Sequence, residues 1–415
     1  MEIKRSRYVY KRNQPRPAAK TRWLPLLLVF VCAGVLVAFV AVALTKPVPQ
    51  ITLSQQETII KPAPQVSLPW PARGQAAIGS LETGVLASSA TTEQAKPIAS
   101  MAKIITALVL QNISPLAPNE EGKSFTITAE DVAIYNDYVK KNGTVLPVKV
   151  GDVITEKQAL QALLIGSANN IADLLVIKTF GSLDAYVSYA NTFMASKNIT
   201  QTTIADASGY SPQTISTPSN MIEIGRLALN QPVISGIVAT KNVDLGTFGK
   251  LENTNKLLAD SGVRGIKTGN TDEAGSCLLF AADYEVTANY KVTLVGVVMD
   301  AETSTQAAAV SRQLLAAAQG QFETVTVATK GTVVGKAESA WGQTSPLILA
   351  DDISVTIWKG TAIETSLQLS AVTDTLFTGQ EVGNLEILNS NTPKVGIVSE
   401  QSISKPPLLW RLRNL

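Results

Sequence analysis

Pro97-Ile98-Ala99-Ser100-Met101-Ala102-Lys103-Ile104-Ile105-Thr106-Ala107-Leu108 sets a serine and a lysine three positions apart at the start of an apolar run. On a helix, positions i and i+3 share a face, so the Ser100 hydroxyl and the Lys103 amine come within hydrogen-bonding reach. This pairs a nucleophile with a base. The chain contains no histidine, which excludes Ser-His-Asp and Cys-His arrangements and any histidine-ligated metal site. A serine doing covalent chemistry here must therefore give its proton to another group. A lysine that is desolvated and flanked by cations sheds its proton readily, because burial disfavours the charged form. The spacing alone is not specific: Ser402-Ile403-Ser404-Lys405 repeats it directly before Pro406-Pro407, where no helix can continue. A helix-entry serine followed by a solvated lysine fits the spacing equally well.

Working outward, the 415 residues are 45% hydrophobic and 16% charged, enough for two or three globular domains with appendages. Residues 1–22 hold eight of the 35 basic side chains against Glu2 alone, which leaves the remainder with 27 basic and 32 acidic groups. The basic character belongs to this tail (1–23), and nothing suggests a nucleic-acid-binding body. The uninterrupted apolar stretch 24–44 that follows is long enough to cross a bilayer as a helix. Its basic N-terminal flank predicts a cytoplasmic N-terminus and an extracellular or periplasmic body on a single-pass anchor. A cleaved signal peptide is the rival, since Ala41-Val42-Ala43 mimics a cleavage site, but both regions are long for one. With Cys32 in the span, Cys277 stands alone beyond it, so no intrachain disulfide is expected.

Residues 45–73 read as a proline-rich spacer. Short strand-like runs at 74–80 and 84–89 predict a hairpin, and the Ser100 helix follows. Between 111 and 231 the periods are mostly helical. Thr155-Glu156-Lys157-Gln158 has the form of a capping box, a second helix starts near Asn170, and further helices fit 183–197 and 219–229, the last with Thr217 as cap and Pro218 at its first position. Strand character returns at 263–268, 276–282 and 290–298, before an alanine-rich helix over 304–318. The reading is α+β, an antiparallel sheet with packed helices and a helical insertion (74–320). A small C-terminal all-β domain of sandwich type (321–400) and a tail (401–415) complete the chain.

Two further motifs follow Ser100 and Lys103 in chain order: Ser167-Ala168-Asn169 between two helices, and Lys267-Thr268-Gly269 at the end of a strand-like run. With these in order, the chain resembles the D-alanyl-D-alanine carboxypeptidase family, the low-molecular-mass penicillin-binding proteins. The resemblance spans about residues 74–320, and the domain after it looks like the β domain often attached to such enzymes. It implies the penicillin-binding-protein and β-lactamase type of transpeptidase fold, with no cofactor or metal. Peptidoglycan stem peptides ending in D-Ala-D-Ala are the implied substrates, and β-lactam antibiotics the implied inhibitors.

By the same resemblance, Ser100 attacks the terminal D-Ala-D-Ala bond and Lys103 takes its proton. Ser167 relays a proton to the leaving D-alanine, and Asn169 holds the substrate backbone. Lys267 and Thr268 bind the terminal carboxylate, and Gly269 leaves room for the substrate. The backbone N–H groups of Ser100 and Asn270 hold the oxyanion. Ala168 departs from the frequent glycine of the family and Asn270 from its frequent histidine, which puts substrate preference and rate in question. The rival readings are a β-lactamase of the same fold and a non-catalytic wall-binding or penicillin-sensing membrane protein. A lactamase needs a glutamate to drive water onto the ester, and Asp206 is the only acid between Thr200 and Ser216.

Overall fold

The computed structural model describes residues 23–55, 67–90, 92–288, 290–388, 390 and 392–414. The basic tail expected over 1–23 lies almost wholly outside them. Helix α1, Leu24–Thr45, has a mean hydropathy of 3.1 and is long and apolar enough to cross a membrane. Pro25 sits in its first turn, where a missing N–H costs nothing.

The described residues fall into two compact units, one within 62–325 and 356–361 and the other, which includes α1, within 23–55, 326–355 and 362–414. The first is built on a five-stranded sheet with strands in the order Val263–Thr271, Gly275–Thr287, Tyr290–Ala301, Gln75–Ser80, Gly84–Ser88. Every neighbouring pair is antiparallel. Alternate side chains leave opposite faces of a strand, and here both faces are covered. Cys277, Leu279, Ala281, Val295 and Val297 pack towards the helical region, while Leu278, Phe280, Ala282, Leu294 and Val298 pack with Leu314, Leu315 and Ala318. That double burial is why these strands read as unbroken apolar runs.

The helical region comprises α2 (Ala102–Ile113), α3 (Ala129–Lys140), α4 (Glu156–Leu164), α5 (Asn169–Phe180), α6 (Leu183–Ser196), α7 (Pro218–Leu229) and α8 (Pro232–Val238). The sheet's other face carries α9 (Ser304–Gln319). The capping box at Thr155 and Gln158 is formed in both directions, and Thr217 caps α7. Helix α3 starts at a second box, Thr128 with Asp131, which the apolar periodicity did not single out.

The second unit holds a six-stranded sheet in the order Thr52–Gln55, Val333–Glu338, Thr344–Leu349, Val395–Ser399, Glu381–Ile387, Thr365–Leu369. The strands Phe322–Ala328 and Ile353–Trp358 form a separate ladder. The spacer expected over 45–73 is thus corrected: it contains a strand, with Thr52 opposite Glu338 and Gln55 opposite Gly335. Burial of Ile51, which bridges to Val372, anchors that strand. The tail is also ordered. Ile403 pairs with Leu376, and helix α10 (Leu408–Arg413) brings the Arg411 guanidinium to the Ala43 and Leu44 carbonyls at 3.3 and 2.8 Å. A cation at those unpaired C-terminal carbonyls of α1 suits the helix dipole.

Candidate active site

Ser100 occupies a 3₁₀ turn, Ala99–Met101, that runs directly into α2. The residue before it, Ala99, has φ +46°, a left-handed conformation disfavoured for a residue with a Cβ. Two glycines make this turn possible. A Cβ on Gly209 would meet the Ala99 carbonyl oxygen at 1.9 Å. One on Gly269 would lie 2.9 Å from the Ile98 oxygen and 3.1 Å from the Ser100 nitrogen. Gly269 therefore lets the strand approach the nucleophile's own backbone, and it also lines the cleft beside Ser100.

Lys103, the second residue of α2 and one turn on from Ser100, is fully buried. Its Nζ lies 2.8 Å from Ser100 Oγ and donates to Asn169 Oδ1 at 2.7 Å and the Ser208 carbonyl at 2.8 Å. Burial, and next the Lys267 cation, push its pKa well below the ordinary lysine value, against the opposing pull of Asp206 and Asp173. A neutral amine has two N–H groups and one lone pair. The two carbonyl-type acceptors, Asn169 Oδ1 and Ser208 O, match the N–H groups, which leaves the lone pair for the Ser100 hydroxyl.

Ser167, at φ +60° between α4 and α5, presents its Oγ to Lys267 Nζ at 3.0 Å. Lys267 also donates to the Thr268 carbonyl at 3.0 Å, and burial pulls its pKa from about 10.5 to about 7. Thr268 Oγ1 hydrogen-bonds Thr254 Oγ1, and Asn270 Oδ1 accepts from Ser276 Oγ at 2.8 Å. Ser100, Ser167, Thr268, Gly269 and Asn270 line one cleft of about 550 Å³. Lys103 and Asn169 lie under it in the same hydrogen-bond network. All eight residues singled out from sequence thus meet in one place. Ser402 and Lys405 do not: Ser402 bonds Thr378, and Lys405 faces Asp374 in the other unit.

Sequence reasoning missed Ser208, whose carbonyl completes the setting of Lys103, and it assigned no role to Asp206. Asp206 accepts from the Ser208, Tyr210 and Ser211 backbone N–H groups and from the Ser208 and Thr214 hydroxyls. An acid followed by serines and a glycine is an Asx-turn signature, and that signal was present in Asp206-Ala207-Ser208-Gly209. Among the described residues no group of three potential metal-ligating side chains comes together.

Residues 70–303 match the family model of D-alanyl-D-alanine carboxypeptidases. The chain belongs to that family. Residues 322–405 match the C-terminal domain of penicillin-binding protein 5. A D-alanyl-D-alanine endopeptidase of Escherichia coli is 28% identical over 249 residues, 58% of this chain and 74% of that protein. A D-alanyl-D-alanine carboxypeptidase of Streptomyces is 29% identical over 220 residues, 48% and 72% of the two chains. The crystal structure of a D-alanyl-D-alanine carboxypeptidase from Francisella tularensis superposes with a TM-score of 0.57 at 18% identity, over 85% of this chain and 97% of that one. The protein is accordingly a serine-type D-alanyl-D-alanine carboxypeptidase in family and fold, with a β domain of the penicillin-binding protein 5 type following the catalytic domain in sequence.

Proposed function

We propose that the enzyme removes the terminal D-alanine from peptidoglycan stem peptides through an ester on Ser100. The observation that carries this reading is the placement of the Lys103 amine, dry and directed at the Ser100 hydroxyl by Asn169 and Ser208. Neutral Lys103 accepts the Ser100 proton as Oγ attacks the carbonyl of the penultimate D-alanine. The oxyanion is held by the backbone N–H groups of Ser100 and Asn270, fixed dipoles that need no reorganisation as charge develops. The C–N bond then breaks, and Ser167 passes the departing D-alanine nitrogen a proton, balanced by the one Lys103 took from Ser100. Lys103, neutral again, draws a proton from water as it attacks the ester, and Ser100 regains its hydrogen. Lys267 and Thr268 hold the terminal carboxylate, while Asn169 fixes the peptide backbone.

A β-lactam presents a similar carboxylate and a reactive carbonyl, so it acylates the same serine. Because the Asp206 carboxylate is taken up by its own loop, it is not free to drive water onto that ester, and the adduct is long-lived. The charge asymmetry flanking α1 supports an uncleaved single-pass anchor with a cytoplasmic N-terminus and an extracellular or periplasmic body. Incubation with a peptide ending in D-Ala-D-Ala tests the reading: free D-alanine should accumulate catalytically with the wild type and not with Ser100→Ala. Equal release by both proteins would place the chemistry elsewhere.

A further inference from the structure

One helical turn beyond Asn169 on α5, Asp173 is 94% buried, with only 6% of its surface exposed. Its Oδ2 accepts from Tyr138 Oη on α3 at 2.9 Å, and its Oδ1 is buried with no hydrogen-bond partner among the described residues. Tyr138 Oη also packs 3.4 Å from Ser208 Oγ, a contact rather than a further hydrogen bond because the two hydroxyl hydrogens go to Asp173 and Asp206, and the Ser208 carbonyl is the acceptor that holds Lys103. The contacts therefore close a ring: Lys103 to Asn169, along one turn of α5 to Asp173, through Tyr138 to Ser208, and back to Lys103. A half-satisfied buried carboxylate is costly to keep, and nothing in the acyl-transfer steps uses it.

We propose that Asp173 is a positioning residue for the catalytic amine: it fixes Tyr138 against Ser208, one of the two residues whose acceptors hold Lys103, and it adds a negative charge beside that of Asp206 to the surroundings of that amine. The inference rests on the reading of Lys103 as the base and assigns it a counterweight beside Asp206. Tyr138 of α3 touches Asp173 directly, and the other groups coupled to it by charge are Lys103 from α2, Lys141 just after α3, Tyr186 from α6 and Asp206 from the loop after α6. Burial, as the largest influence, raises the Asp173 pKa to about 6 despite the Tyr138 hydrogen bond. Asp173 in turn pulls the Lys103 pKa upward. Above pH 6 the carboxylate is ionised and opposes loss of the Lys103 proton; without its charge Lys103 is neutral at lower pH.

The test is the pH profile of penicillin acylation with full-length protein in detergent, comparing wild type, Asp173→Asn and Tyr138→Phe. Asp173→Asn keeps the shape and an acceptor for Tyr138 but removes the charge. Its acid limb should move to lower pH while thermal unfolding shows a folded protein. Tyr138→Phe breaks the ring, leaves the charge, and should slow acylation about tenfold without moving the limb downward. A folded Asp173→Asn whose acid limb coincides with that of an active wild type overturns this inference alone. A wild type that is never acylated overturns both the inference and the reading beneath it.

Discussion

Lys267→Met tests whether the pocket holds its lysines against their electrostatic preference. The fall in the Lys267 pKa from about 10.5 to about 7, at about 1.4 kcal/mol per unit, corresponds to at most about 5 kcal/mol of folding free energy lost when this lysine is charged. The sign follows from proton binding: between pH 7 and 10.5 the unfolded chain holds a proton that the folded chain has shed, so stability rises with pH across that window. Methionine removes this slope. It also removes the hydrogen bonds to Ser167 Oγ and the Thr268 carbonyl, together worth roughly 2 kcal/mol. The net gain at pH 7 is then about 3 kcal/mol, on the order of 5–10 °C for a body of this size. Thermal unfolding followed by tryptophan fluorescence, run from pH 6 to 10 on the full chain in detergent, should show the variant more stable at pH 7 and the advantage shrinking towards pH 10. A variant less stable at pH 7, or a gap independent of pH, would refute the buried-cation account.

The same substitution should move the acid limb of acylation to higher pH, because the Lys267 cation lowers the Lys103 pKa; stopped-flow acylation at several pH values reads this. Lys103→Arg should abolish acylation in a folded protein, since a guanidinium is not deprotonated in proteins, and acylation at the wild-type rate would remove Lys103 as base. Gly209→Ala forces a Cβ to 1.9 Å from the Ala99 oxygen at φ +73°, so the Ser100 turn should shift, with stability falling by on the order of 2 kcal/mol and acylation falling more than a hundredfold. N-terminal sequencing of the mature protein should begin upstream of Leu24; a start near Leu44 or Thr45 would replace the anchor with a cleaved signal.

The catalytic motifs and the apolar strand runs were legible because each is local. Ser100 and Lys103 are set by one helical turn, and the two-faced burial of 276–282 and 290–298 writes itself into composition. Contacts between distant residues were not. The pairing of Asp173 with Tyr138 crosses 35 residues, and no spacing rule links them. The strand Thr52–Gln55 sits among prolines in a segment without periodicity, and its partner strand begins only at Val333. The approach of Gly269 to the Ser100 turn was hidden as well, because a sequence shows that a glycine is small without showing which neighbours need the space.

The central claim, an ester formed on Ser100 by a neutral lysine, is tested most directly by mass spectrometry of the intact chain after exposure to penicillin, with peptide mapping of the adduct. The account predicts one penicilloyl group, carried on the peptide containing Ser100, persisting for many minutes and absent from Ser100→Ala. A stable adduct that survives Ser100→Ala, or maps to another serine, would contradict it.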